Sequence, residues 1–135
     1  MASALYPKAK ESFLSQNPSI DLDTDTIKVA LVSTSDYTYS SANQYKSSVT
    51  SYAGTTDQTL GSKQITSGVF DAADATFTAV SVDGSKAANA VVIYKDTGSA
   101  ATSPLIAYID GFSVTPNGGN ITVSWDNGAS KIFAL

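Results

Sequence analysis

The 135-residue chain carries eight Lys, no Arg, no His, no Cys and twelve acidic residues, for a net charge of −4 at pH 7. That length suits one domain around a single core, and the lack of Cys and His removes disulfides, thiolate chemistry and the usual ligands of transition metals. An acidic chain without Arg also lacks the basic patch and bidentate forks that hold phosphates, so neither a nucleic-acid partner nor a cofactor is expected.

The first residues, "MASALYPK", do not form a positive n-region followed by an apolar stretch, and no segment approaches 18 uninterrupted apolar residues. The expectation is a protein that neither uses a signal peptide nor spans a membrane, made in a cytoplasm. Pro7 suits a first helical turn, and Ala9, Phe13 and Leu14 opposite Lys8, Lys10 and Glu11 predict a short amphipathic helix over about 7–16, ended by Asn17-Pro18. Its narrow apolar face fits the end of a sheet better than a bundle.

In "IDLDTDTIKVAL", Asp21, Asp23 and Asp25 have the spacing of the first calcium ligands of an EF-hand loop. The sixth and twelfth positions are Thr26 and Val32 where that loop needs Gly and Glu, so no metal site is assigned. Ile27, Val29 and Leu31 instead alternate with Lys28 and Ala30, which predicts a strand over about 26–33.

Residues 33–56 are the least ordinary stretch, with 16 of 24 being Ser, Thr or Tyr and only Asp36 and Lys46 charged. Rigid amphipathic tyrosines among small adaptable residues are a mixture found in binding loops. The plainer alternative is a surface excursion whose tyrosines pack on the domain's own flank. Tyr37, Tyr39, Tyr45 and Tyr52 are therefore candidate interface residues, with one helical turn expected near 42–47.

Further strands are expected near 58–65, 75–82, 88–95, 105–110, 121–125 and 131–135, separated by Gly, Asn, Asp and Ser clusters. "ANAVVIYKD" and "LIAYID" read as one antiparallel hairpin, and "NITVSWDNGASKIFAL" as another that turns at Asn127-Gly128. The fold class is mainly β: a single antiparallel β-sandwich or small barrel of about seven strands with a short N-terminal helix, in one domain over 1–135. Trp125, in phase with Ile121 and Val123, is expected as a buried anchor. Gly118-Gly119 reads as a turn, because neither a Walker-type Lys nor a helix follows it. The two "GSK" triplets at 61–63 and 84–86 read as turn chemistry. The C-terminal "KIFAL" has no polar tail, so Phe133 and Leu135 join the candidate interface residues, with the N-terminal helix as their expected cover.

No nucleophilic triad can be assembled without His, and no pair among the eleven Asp is singled out by spacing, so no catalytic residue is assigned and an enzyme is not expected. The segments "LDTDTIKVALV", "GVFDAADATFTAV", "VVIYKDTGSAATSPLIAYID" and "TPNGGNITVSWDNGASKIFAL" resemble a family of small virion structural proteins of tailed double-stranded DNA bacteriophages, over nearly the whole chain. Residues 45–60 depart most from that pattern, being richer in Ser and Thr. The resemblance implies a capsid cement or decoration protein on the capsid exterior, with the major capsid protein and copies of itself as partners and the bacterial host cytoplasm as its place of synthesis. It brings no catalytic, metal or cofactor residues. The competing reading is a tail-associated module that stacks the four tyrosines on host carbohydrate.

Overall fold

A computed structural model describes residues 4–125 and 131–135. In chain order these form β1 (Ala4–Leu5), α1 (Pro7–Ser15), β2 (Ile27–Val32), β3 (Gln58–Thr59), β4 (Gln64–Thr66) and β5 (Val69–Asp71). There follow β6 (Ala75–Phe77), β7 (Ala88–Lys95), β8 (Leu105–Val114), β9 (Ile121–Val123) and β10 (Phe133–Ala134). The fold is mainly β with antiparallel pairing throughout, and among the described residues the sheets do not close into a barrel.

A five-stranded sheet in the order β1-β8-β7-β2-β3 lies at the centre. Its inner strands β2 and β7 are almost continuously buried, which requires cover on both faces. On one face Ile27, Val29, Leu31, Val91 and Ile93 pack with Phe70, Phe77 and Ile121 from two small sheets, β10-β5-β4 and β6-β9, and with Val80 from the loop after β6. The other face presents Ala30, Val32, Ala90, Val92 and Tyr94, which are covered by Tyr6, Ala9, Tyr37 and Val49. Residues 33–56 are thus a covering layer rather than a free loop. Fully burying each large apolar side chain here contributes about 1.5–3 kcal/mol.

Two irregularities in the β7–β8 ladder set which side chains face which layer. Ile93 pairs with Ala107 and Tyr94 with Leu105, so Ile106 is an extra residue, and the bulge sends Leu105 to the helix side but Ile106 and Ala107 to the opposite core. The second lies between the Ala90–Asp110 and Ala88–Val114 pairs, where Gly111 has φ +100°, a conformation open to glycine. The predicted strand stopped at Asp110; the bulge carries β8 on to Val114.

Helix α1 begins at Pro7 as expected and ends when Gln16 turns left-handed (φ 58°) and donates its N–H to Ser12 O. Its covered face is Ala9, Ser12 and Phe13, spaced i, i+3, i+4. Leu14, expected on that face, is 89% exposed, because it lies about 140° around the helix from Ala9.

The expected C-terminal hairpin is corrected. β9 pairs with β6, placing Phe77 opposite Ile121, while β10 pairs with β5, placing Phe133 opposite Phe70 with ring centroids 5.4 Å apart. Cross-strand apolar pairing, rather than nearness in sequence, selects these partners. The predicted Asn127-Gly128 turn lies outside the described residues. Helix α1 packs on β8, so the cover for "KIFAL" is β5 instead, and Leu135 remains 69% exposed. Trp125 is half-buried, its indole N–H donating to Ala73 O, because β9 ends two residues earlier.

The predicted strand over 58–65 splits into β3 and β4 around Gly61-Ser62, and the predicted 75–82 strand ends at Phe77. With β1 and β5 also present, the count exceeds the expected seven. Deleting Phe133 to Leu135 removes the Phe70 ring contact, the β10 ladder and the Leu135 N–H bond to Gly68 O. The expected result is a loss of about 2 kcal/mol, a fall in melting temperature of roughly 5–10 °C by circular dichroism. An unchanged melting temperature would show that these residues do not hold the small sheet.

Candidate interaction surface

The tyrosines of residues 33–56 divide into anchors and rim. Tyr37 is buried; its hydroxyl donates to Asn43 Oδ1 at 2.8 Å and lies 2.7 Å from the buried Tyr6 hydroxyl. Tyr52 is buried too, donating to Lys86 O at 3.0 Å and accepting from Asp83 N–H at 3.1 Å. Of the candidate interface residues, these two have their rings and hydroxyls engaged by the sheet face and the neighbouring loop. Tyr39, half-buried, closes an aromatic cluster 5.1 Å from Tyr6 and 5.3 Å from Tyr108. Tyr45, also half-buried, bridges to Pro104, and the adjoining Gln44 O accepts from Leu105 N–H at 2.8 Å. The expected helical turn is a 3-10 turn at Lys46–Ser48.

Charges around this layer serve the fold. Tyr94 donates to Asp57 Oδ2 at 2.5 Å, Ser51 donates to Asp57 Oδ1 at 2.9 Å, and the Lys46 ammonium stands 3.9 Å from the same carboxylate. Burial, then the bond to Asp57, pushes the Tyr94 hydroxyl far above its ordinary value. Lys86 of the second "GSK" pairs with Asp36 at 2.7 Å and Asp83 at 3.4 Å, while Lys63 of the first donates to Asp25 O. The Asp21 carboxylate accepts the N–H groups of Asp23 and Thr24, and Asp25 accepts from Asp21 N–H and pairs with Lys95 at 3.1 Å. Hydrogen bonds from Thr24 and Asp23 hold the Asp21 carboxyl below its usual value. The loop therefore spends these two carboxylates on its own backbone and on a lysine. Among the described residues no group of three or more acidic side chains could hold a metal ion. The Gly118-Gly119 turn exchanges backbone bonds with Val80, from Gly118 N–H to Val80 O and from Val80 N–H to Gly119 O.

One surface open to a partner lies along the edge of β8. The strand has β7 on one side, but on the other β1 pairs only with Tyr108 and Ala107. Three adjoining clefts follow this edge. The first, about 190 Å³, lies between Leu5, Ile109, Ile132 and Phe133; the second, about 220 Å³, between Ile109, Phe112, Trp125 and Ile132. The third, about 190 Å³, lies between Phe112, Val114, Ile121 and Val123. They share Ile109, Ile132, Phe112 and Val123, and so form one apolar trough between the central sheet and the small sheets. Asp110 and Lys131 are its only charged lining residues among those described.

Of the six candidate interface residues, Phe133 lines this trough; Leu135 is exposed at the end of the neighbouring strand. Phe112, Val114 and Val123 were not anticipated. A signal for them exists, since residues 111–125 form the longest run without a charged side chain in the sequence. No protein-family model matches the chain, and no curated protein matches it.

Proposed function

We propose that this chain is a structural protein of a bacteriophage virion, a cement or decoration protein that binds the major capsid protein and copies of itself on the capsid exterior. The observation that carries the reading is the largely apolar trough beside the open strand edge at Phe112–Val114, a surface suited to burial against another protein rather than to turnover. The resemblance of four segments to small phage virion proteins supports the same class. Many copies of a modest contact add avidity on a repeating shell. The carbohydrate-stacking alternative has less support, because two of the four tyrosines it needs are buried.

The test is to add purified protein to shells that lack it and to image the particles. The expected result is near-stoichiometric occupancy relative to the major capsid protein. A few copies per particle, or label on the tail, would remove the cement reading.

A further inference from the structure

We propose that two copies of this chain associate through the Phe112–Val114 edge of β8, joining their central sheets across a two-fold axis. The inference rests on the assembly reading above and names the surface through which copies meet.

On the side of Phe112–Val114 away from β7 there is no paired strand among the described residues; Gly111, Phe112 and Ser113 form the irregular stretch between the Asp110 and Val114 pairs, beyond the part of β8 where β1 pairs. Soluble proteins protect such edges with charged side chains, lysine above all. This edge has none: the chain is uncharged from Gly111 to Trp125, while the molecule as a whole carries −4. Two like-charged copies can meet here without setting carboxylate against carboxylate.

The residues are also self-complementary. In an isologous antiparallel pairing centred on Ser113, Phe112 of each copy faces Val114 of the other, giving two aromatic–β-branched cross-strand pairs. The same register sets Gly111 against Thr115 and Asp110 against Pro116, so the nearest acidic residues do not oppose each other. Val114 is 38% exposed and Phe112 half-buried, so both have surface to lose.

Sedimentation equilibrium of the full chain over roughly 1 µM to 1 mM is expected to show a monomer–dimer equilibrium. Ser113→Lys sets two ammonium groups face to face and should weaken the dimer by at least about tenfold. Thr66→Lys on the exposed strand β4 should dimerise as the wild type does. If Ser113→Lys fails to fold, as judged by circular dichroism, amide exchange in the wild type replaces it: protection at Phe112–Val114 should rise with protein concentration. A wild-type chain that stays monomeric, equal effects of the two lysine substitutions, or concentration-independent exchange at this edge would overturn the proposal. Dimers that fail to bind shells would remove the cement reading alone, and shell binding by a strict monomer would remove this inference alone.

Discussion

Above pH about 10 the protein is expected to lose its fold in one steep transition. Burial pushes the hydroxyls of Tyr6, Tyr94, Tyr37 and Tyr108 above their ordinary value of 10.0, Tyr6 and Tyr94 far above it. Hydrogen bonding to Tyr37 adds to the shift of Tyr6, and the Asp57 bond adds to that of Tyr94. A group whose folded value is raised favours the fold fully below its unfolded value and progressively less as the pH climbs toward the folded one. Each such tyrosine removes about 1.4 kcal/mol per pH unit in that window. Tyr6 and Tyr94 alone therefore withdraw about 5 kcal/mol by pH about 12, comparable with the total stability of an ordinary domain. Tyrosinate absorbance and circular dichroism followed against pH should change together. Complete tyrosine titration near the ordinary value, with the fold still intact, would show that these rings are accessible to solvent.

Tyr52→Ala is expected to destabilise the protein by about 3–5 kcal/mol, and Tyr52→Phe by about 1–2 kcal/mol. The ring is 1% exposed in the main core, its N–H donates to Leu31 O at 2.7 Å, and its hydroxyl joins Lys86 O and Asp83 N–H. Truncation leaves a cavity and strips two backbone groups of their partner; the Phe variant does only the second. The loss should spread to the neighbouring loop. Gly54 presses so closely on residue 81 that a Cβ there would stand 2.2 Å from Ser81 O, and Ser81 N–H bonds Gly54 O at 3.1 Å. Denaturant unfolding measures the first effect, and limited proteolysis within residues 33–56 measures the second. Equal losses for the Ala and Phe variants would mean that the hydroxyl, not the ring, fastens this layer.

Local chemistry made β7 legible to the residue, because "ANAVVIYK" is an unbroken apolar and β-branched run between turns. The start of α1 was equally plain from Pro7. Choices of distant partner were not. Nothing in "ITVSW" or "KIFAL" states that the first will pair with β6 and the second with β5, since those pairings are decided by which apolar faces meet after collapse. The far end of β8 was not legible either: the expected strand ended at Asp110, whereas the irregular stretch that begins at Gly111 carries it on to Val114. Of the candidate site, Phe133 was visible as an apolar chain end, whereas Tyr37 and Tyr52 could not be assigned to ring-in or ring-out positions without the sheet they cover.

The order of the central sheet also dictates when a growing chain can bury its strands. Ala4 pairs with Tyr108 and Ile27 with Lys95, so β1 and β2 wait for partners that leave the ribosome far later. Before Ala88 emerges, the nascent chain can form α1, the β2–β3 contact and the small β4–β5 hairpin, but the apolar β2 has no inner neighbour. The β7–β8 hairpin is the first unit able to shelter it, and it draws both flanks in at once. Closing loops that span such long separations is slow, on the order of milliseconds to seconds, and keeps β2 available to chaperones or to neighbouring chains until β7 and β8 have emerged.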